Sequence, residues 1–295
     1  MPDQTRLPPE AADARLRGSQ LREKGQFAEA RHEFHRALAL AEQGPTVDPL
    51  QLVPLLNDIG VIGKYRGDFD EAESAYRRAL RIVNEREDGQ VELRASLLHN
   101  IAGLAHARGD AVAAESVARE GIALRERSAA TNPLDLAADR AALAAILVDL
   151  HQTDEAHELL ADVIAVFERR YGPEHYEVAV ALHNLGSLEH RAGDFQSAAA
   201  NLDRSAEIKR LALRPDHPDL AITLHNLACA QTELGLVSQA ITSLREAITL
   251  LTDVVATDHP TLKSCHKRLM FLADSPLEPA ARSRHGHSSN SMEDN

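Results

Sequence analysis

The 295-residue chain contains two cysteines, Cys229 and Cys265, no tryptophan, and only 3% aromatic residues. Two thiols are too few for a disulfide framework or a four-thiolate zinc site. So few rings supply little for stacking single-stranded bases. Basic residues are outnumbered as well: 32 Lys and Arg against 45 Asp and Glu leave a net charge of −13. A surface of that sign repels phosphate backbones and anionic lipid. No run approaches the roughly 18 uninterrupted apolar residues that cross a bilayer, and Met1 to Gly18 hold no apolar core of a secretory leader. The expectation is a cytoplasmic protein that binds neither nucleic acid nor membrane. Phosphate-binding Gly loops, G-x-S-x-G, HExxH and CxxC are also missing.

What remains is a chain 44% hydrophobic and 26% charged. A core with few rings is built from Ala, Leu, Ile and Val at close approach, a composition that favours helix packed on helix. The sequence repeats itself. ALHNLGSLEHRAGDFQSAAANL (181–202) aligns with TLHNLACAQTELGLVSQAITSL (223–244) at an offset of 42 residues. Extended without gaps, that step puts Ile59, Ile101, Leu143, Leu185, Leu227 and Leu269 in one column. A second column holds Gly25, Gly67, Gly109, His151, Gly193 and Gly235, and a third Ala30, Ala72, Ala114, Ala156, Ala198 and Ala240. Three columns in register mean an array of one small unit.

Each unit reads as two helices. The first, such as Ala181 to Arg191, stops at the column glycine, the residue suited to a left-handed position after a helix. Asp68, Asp110 and Asp194 follow and are expected to cap the second helix; Asp68-Phe69-Asp70-Glu71 has the spacing of a capping box. The second helix is expected from the Phe27, Phe69 and Phe195 positions. Its small residues, such as Ala72, Ala75 and Ala79, let helix axes approach closely, so bulk there would overpack the contact. Pro- and His-bearing loops close the units, as in Pro173-Glu174-His175. The fold class is all-α: a right-handed α–α superhelix, or solenoid, of about six helical-hairpin repeats plus a C-terminal capping helix. Repeats are expected at 11–52, 53–94, 95–136, 137–178, 179–220 and 221–262, with the cap helix at 261–273. Residues 1–10 and the Ser- and Pro-rich 274–295 are expected to be disordered. The unit at 137–178, where His151 replaces the glycine, is the least regular.

The pattern Ile59-Gly60, Gly67, Ala72, Tyr76, Ala79, repeated as Leu185-Gly186, Gly193, Ala198, Leu202, resembles the tetratricopeptide repeat. The step of 42 exceeds the roughly 34 of the usual unit. With His-Asn-Leu-[Gly/Ala] in the first helix and a Pro-[Asp/Glu]-His linker, it looks like the kinesin-light-chain type. The resemblance covers residues 11–273 and implies a non-catalytic adaptor that holds a peptide segment of a partner protein in a concave groove lined by first helices.

By that resemblance the groove takes the two residues before the Leu/Ile column: Asn57 and Asp58, His99 and Asn100, Ala141 and Ala142, His183 and Asn184, His225 and Asn226, Lys267 and Arg268. A turn on lie Ser187 and Cys229, then Lys64, His106, Val148 and His190. A carboxamide both donates and accepts, so Asn100, Asn184 and Asn226 suit the backbone of a peptide laid along the groove. The alternative is that they only bond neighbouring helices. Ala141, Ala142, Ala145 and Val148 offer a small apolar floor that fits one anchoring side chain, or merely a tighter local superhelix. The cations Arg15, Arg22, Lys64, Lys267 and Arg268 suggest a carboxylate-bearing ligand.

The histidines form the rival reading, a metal protein or enzyme. His99 and His106 share a helical face, as do His183 and His190. Seven residues separate each pair by about 10 Å of helix rise, whereas zinc needs ligands converging at about 2 Å. No cofactor, metal or catalytic residue is expected. Cys229 reads as a small apolar filler. A monomer, or a weak oligomer formed through terminal repeats, completes the expectation.

Overall fold

A computed structural model describes residues 7–43, 47–86, 90–213, 218–252 and 259–274. The described residues form α-helices and one short 3₁₀ turn, Pro49–Leu52. Six hairpins come first: α1 (Pro9–Glu23) with α2 (Phe27–Gln43), α3 (Val53–Arg66) with α4 (Phe69–Asn84), α5 (Val91–Ala107) with α6 (Ala111–Glu126), α7 (Pro133–Asp149) with α8 (Thr153–Tyr171), α9 (Tyr176–Ala192) with α10 (Phe195–Ala212), and α11 (Pro218–Glu233) with α12 (Val237–Thr252). A lone helix, α13 (Pro260–Asp274), follows. The all-α repeat class is as expected. Residues 9 and 10 are already helical, in contrast to the disorder expected there, because Pro9 occupies the first helical turn, where its missing N–H costs nothing. The N-terminal residues 1–6 and the tail 275–295 lie outside the described residues.

The chain divides into two compact units, one ending at Leu213 and holding α1–α10, the other holding α11–α13. In unit 1 each first helix packs on its hairpin partner, each second helix packs on the next hairpin, and first helices α3, α5, α7 and α9 lie side by side in sequence. In unit 2, α12 packs between α11 and α13, which also touch each other.

Three hairpins close by setting a large side chain of the second helix on a missing Cβ of the first. A Cβ on Gly18 would lie 2.6 Å from the Phe34 ring, one on Gly60 2.3 Å from the Tyr76 ring, and one on Gly186 2.7 Å from Leu202 Cγ. All three large residues are fully buried. Repeat to repeat, the hairpins are joined by Ala, Leu, Ile and Val, with Ala144, Leu147, Leu160 and Leu182 in one continuous core.

The column glycines between the two helices all have positive φ, between 72° and 86°. His151 takes the same left-handed conformation at φ 60°, alone among the described non-glycine residues. The 137–178 unit therefore keeps its turn despite the substitution, and the imidazole is fully outside the hairpin contact, exposed to solvent. Capping is uneven. Asp110 Oδ1 accepts from Ala113 N at 3.0 Å and Asp194 Oδ1 from Ser197 N at 3.1 Å. Asp68 makes no cap bond, contrary to expectation. Its carboxylate instead accepts from Arg66 Nε at 2.7 Å, and the Glu71 expected to complete a capping box binds Arg31 of the preceding hairpin through both oxygens.

Gly60→Ala is expected to destabilise the protein by about 1–3 kcal/mol, because the new methyl overlaps the Tyr76 ring. Urea unfolding checks this. The double variant with Tyr76→Leu should recover part of the loss, and a midpoint unmoved by Gly60→Ala would contradict the packing described.

Candidate functional site

The first-helix face of unit 1 is built from polar side chains that reach from one repeat to the next. Arg15 Nε donates to Asp58 Oδ2 at 2.6 Å, and Asn100 Nδ2 donates to Asn57 Oδ1 at 2.6 Å. Both bonds span 43 residues, so they join adjacent repeats at positions one residue beyond the 42-residue step. Asp58 is buried and also lies 3.8 Å from Arg22 Nη1, which makes it a structural anchor for the first repeat. Asn57 and Asn100 occupy each other.

The next repeat breaks the series. The same 43-residue step back from Asn184 arrives at Ala141, which has no polar atom to offer. Among the described residues the half-buried Asn184 carboxamide has no hydrogen-bond partner. It opens instead onto a cavity of about 270 Å³ bounded by α5, α7, α8 and α9, lined by His106, Ala144, Ala145, Val148, Asp149, Leu160, Asn184, Ser187, Leu188 and Arg191. The floor is aliphatic and the rim polar. His106 Nε2 is 2.8 Å from Asp149 Oδ2, and Arg191 Nη1 is 3.6 Å from Asp149 Oδ1. Hydrogen bonding to His106, aided by the charge of Arg191, holds the Asp149 carboxyl below its ordinary range.

The cavity thus brings together His106, Ala145, Val148, Asn184 and Ser187 of the residues singled out from sequence. Ala141 and Ala142 are half-buried beside it but do not line it. Lys64 lies away from it, its ammonium 3.3 Å from where a Cβ would stand on Gly103, and burial pushes its pKa down. His99 points Nδ1 at Asp139 Oδ1, 2.8 Å away. His183 is half-buried, and His190 meets the Phe195 ring edge-on at 5.4 Å. Ala144, Asp149, Leu160, Leu188 and Arg191 were not foreseen. Asp149 and Arg191 directly follow Val148 and His190 in sequence, and that adjacency was the available signal.

Below this face is a buried charge network. Arg125 is 3% exposed and Asp139 4%. Arg125 Nε donates to Asp139 Oδ2 at 2.7 Å and Nη2 to Ser96 Oγ at 3.0 Å, while Nη1 meets Glu92 Oε2 at 2.5 Å. With His99 on its other oxygen, Asp139 of α7 is satisfied from two neighbouring helices, α5 and α6. The histidine was foreseen and the arginine that holds its partner was not.

In unit 2, His225 Nε2 lies 2.8 Å from Ser264 Oγ, and its Nδ1 lies 3.3 Å from Asn226 Oδ1. Burial pushes His225 below its ordinary value and so favours the neutral ring. Burial raises the Cys229 thiol, and it pushes Cys265 up to about 11. Both sulfurs are protonated at neutral pH and unfit as nucleophiles. Lys267 is exposed and Arg268 half-buried on α13. No three His, Cys, Asp or Glu side chains converge as metal ligands among the described residues, and no described helix is long and apolar enough to cross a membrane.

A family model described as tetratricopeptide repeat matches residues 10–85, 51–127, 135–210 and 189–253. The chain belongs to that family. Solved structures similar to it include BtubC (BKLC) from P. vanneervenii, 21% identical over 80% of this chain and 94% of that one, with a TM-score of 0.66. A kinesin-light-chain protein of Podosopora anserina with nearly identical TPR-like repeats is 22% identical over 70% of this chain and 97% of that one, at 0.57. A Rap protein complexed with Competence and Sporulation Factor is 15% identical over 90% and 75%, at 0.64. At these identities the likeness is one of fold. No curated protein matches the sequence.

Two outcomes follow from the electrostatics. Arg125→Ala leaves Asp139 buried without its guanidinium and is expected to cost about 3–5 kcal/mol, read by urea unfolding. A loss below about 1 kcal/mol, the range of an exposed pair, would refute the burial argument. For His225 the folded form resists protonation, while the unfolded chain binds a proton near pH 6.5. Its contribution is therefore intact above that pH and lost as the pH falls through the lower folded value. His225→Gln should shrink the drop in melting temperature between about pH 7 and pH 5 relative to the parent chain. An unchanged drop counts against it.

Proposed function

We propose that this tetratricopeptide-repeat chain is a non-catalytic, cytoplasmic adaptor that holds a segment of a partner protein against the first-helix face of unit 1. Repeats of this family commonly mediate protein–protein interaction. The chain is also similar in fold to a Rap protein solved in complex with another factor. One observation carries the reading further. Where the polar series lapses at Ala141, an unpartnered carboxamide, Asn184, stands at the mouth of an aliphatic cavity.

The two features are complementary demands of one ligand. An extended peptide presents a backbone N–H and C=O beside each side chain, and Asn184 offers an acceptor and a donor to that unit. A cavity of about 270 Å³ floored by Ala144, Val148, Leu160 and Leu188 takes an aliphatic or small aromatic side chain. Asn100 contributes less, because Asn57 already uses it.

The histidine-based alternative has less support. His99, His106 and His225 each face a carboxylate, hydroxyl or carboxamide of their own unit, and both thiols are held protonated. A nucleophile needs the opposite, a lowered pKa or an adjacent free base.

Affinity capture from the native lysate tests the proposal with the parent chain, Asn184→Ala, Asn100→Ala and Ala145→Phe. The protein recovered with the parent should be lost with Asn184→Ala and with Ala145→Phe, which fills the cavity. Asn100→Ala should retain most of it. Equal recovery with all four would remove the cavity from the interaction.

A further inference from the structure

Among the described residues three carboxylates are buried: Asp58, Asp139 and Glu189. A guanidinium holds each of the first two, Arg15 on Asp58 and Arg125 on Asp139. Glu189, 5% exposed on α9, has neither arginine nor lysine upon it. Asn201 Nδ2 of α10 donates to both its oxygens, at 3.0 and 2.8 Å, and His157 Nε2 of α8 lies 3.5 Å from Oε1. The fold does not require a charge at this place. The 42-residue step puts Leu21, Gly63, Ala105, Leu147 and Gln231 there in the other hairpins. Gln231 is buried too, and it closes the equivalent contact without charge by accepting from Ser243 Oγ at 3.0 Å. The one ionisable residue of the column stands beside the unit 1 cavity. Leu188, just before Glu189, and Arg191, two residues on, both line that cavity, as does Leu160, a turn after His157 on α8.

We propose that Glu189 is a positioning residue for the cavity, its carboxyl setting, by gain or loss of a proton, how firmly α8 and α9 close beneath Leu160 and Leu188. That this closure governs a ligand rests on the reading of the cavity as a binding site; the seam between the helices does not. Burial pushes the Glu189 pKa up, against the hydrogen bonds from Asn201 and the pull of His157, and the charge of Asp194 at the start of α10 adds to the rise. On α9 itself Arg191 is turned to Asp149 of α7, which His106 of α5 also holds. In alkali the carboxylate is charged and buried, and a histidine supplies a cation only in acid. Asn201 is then left to replace the lost hydration, which one amide does incompletely. As the pH falls, Glu189 gains an ion partner in His157 and then a proton, after which no charge is left to bury. The folded chain holds that proton at higher pH than the unfolded chain. Its contribution is therefore fully present below the ordinary glutamate value of about 4.3 and lost as the pH rises through the higher folded value.

Hydrogen–deuterium exchange of the full chain, followed by mass spectrometry from about pH 8 to about pH 5 and corrected for intrinsic exchange, tests this without any partner. Protection of α8 and α9 should rise at least about threefold on acidification, while that of α3 and α4 changes less. Glu189→Gln keeps the contact in the form that Gln231 uses and should flatten the rise. His157→Ala, at an exposed residue, should reduce it without unfolding the chain. A flat profile in the parent, or a full rise in Glu189→Gln or in His157→Ala, would overturn the assignment. Ala145→Phe, which fills the cavity and leaves Glu189 alone, should keep the rise. Its loss there would put the titrating group at the cavity rim, with Asp149 and His106, and would equally overturn the role given to Glu189. Failure of the capture experiment leaves this profile unchanged, so the two readings fall separately.

Discussion

The structure depends on one steric arrangement, a side chain of the second helix seated where the first helix has little or no side chain. Gly18 under Phe34, Gly60 under Tyr76 and Gly186 under Leu202 are its clearest cases. The other repeats carry Ala102, Ala144 and Ala228 at this column, opposite Ala118, Leu160 and Leu244. No aromatic residue stands opposite an alanine. The sizes co-vary, as close packing requires. Helix axes held at that separation fix the spacing of the first helices. That spacing lets side chains 43 residues apart meet at hydrogen-bond distance.

Those meetings use up most of the polar groups on the first-helix face. Arg15 and Asp58, Asn57 and Asn100, His99 and Asp139, and His106 and Asp149 are each committed to a neighbouring repeat. Their contribution to ligand binding is correspondingly reduced, since a ligand must displace a bond already made. What is left open by this accounting is more informative than the number of polar residues. Among the polar side chains lining the cavity it singles out Asn184.

The repeat architecture was legible because it rests on residue size and backbone freedom, both visible in a single sequence. The left-handed column could be read from Gly25 through Gly235, and His151 adopts the same conformation in its hairpin. Capping was less legible. Asp110 and Asp194 cap as their positions suggest, but the Asp68 carboxylate is taken by Arg66, two residues before it. The site was the least legible. A column of asparagines looks uniform in sequence, yet Asn100 and Asn184 differ entirely because one faces Asn57 and the other Ala141. The register that decides this is 43, one residue longer than the sequence step, since a side chain crossing to the next helix also shifts along it. Arg125 was invisible for a related reason, as its partners Glu92, Ser96 and Asp139 come from two other helices.

The fourth hairpin shows how one change in composition produces a site without any new motif. Alanine at 141 removes the polar partner of Asn184, and the small Ala144 and Ala145 line the space beside it. Neither change disturbs the hairpin, because Leu143, Leu147 and Leu160 keep the core closed. A solenoid can therefore acquire a pocket by subtraction at one repeat while its neighbours supply rigidity. The buried Arg125–Asp139 pair lies in the same stretch and holds α5, α6 and α7 together where the alanines weaken side-chain contact. Its burial is costly unless every partner is present. It therefore fixes the positions of the helices that bound the cavity more sharply than aliphatic contacts alone would.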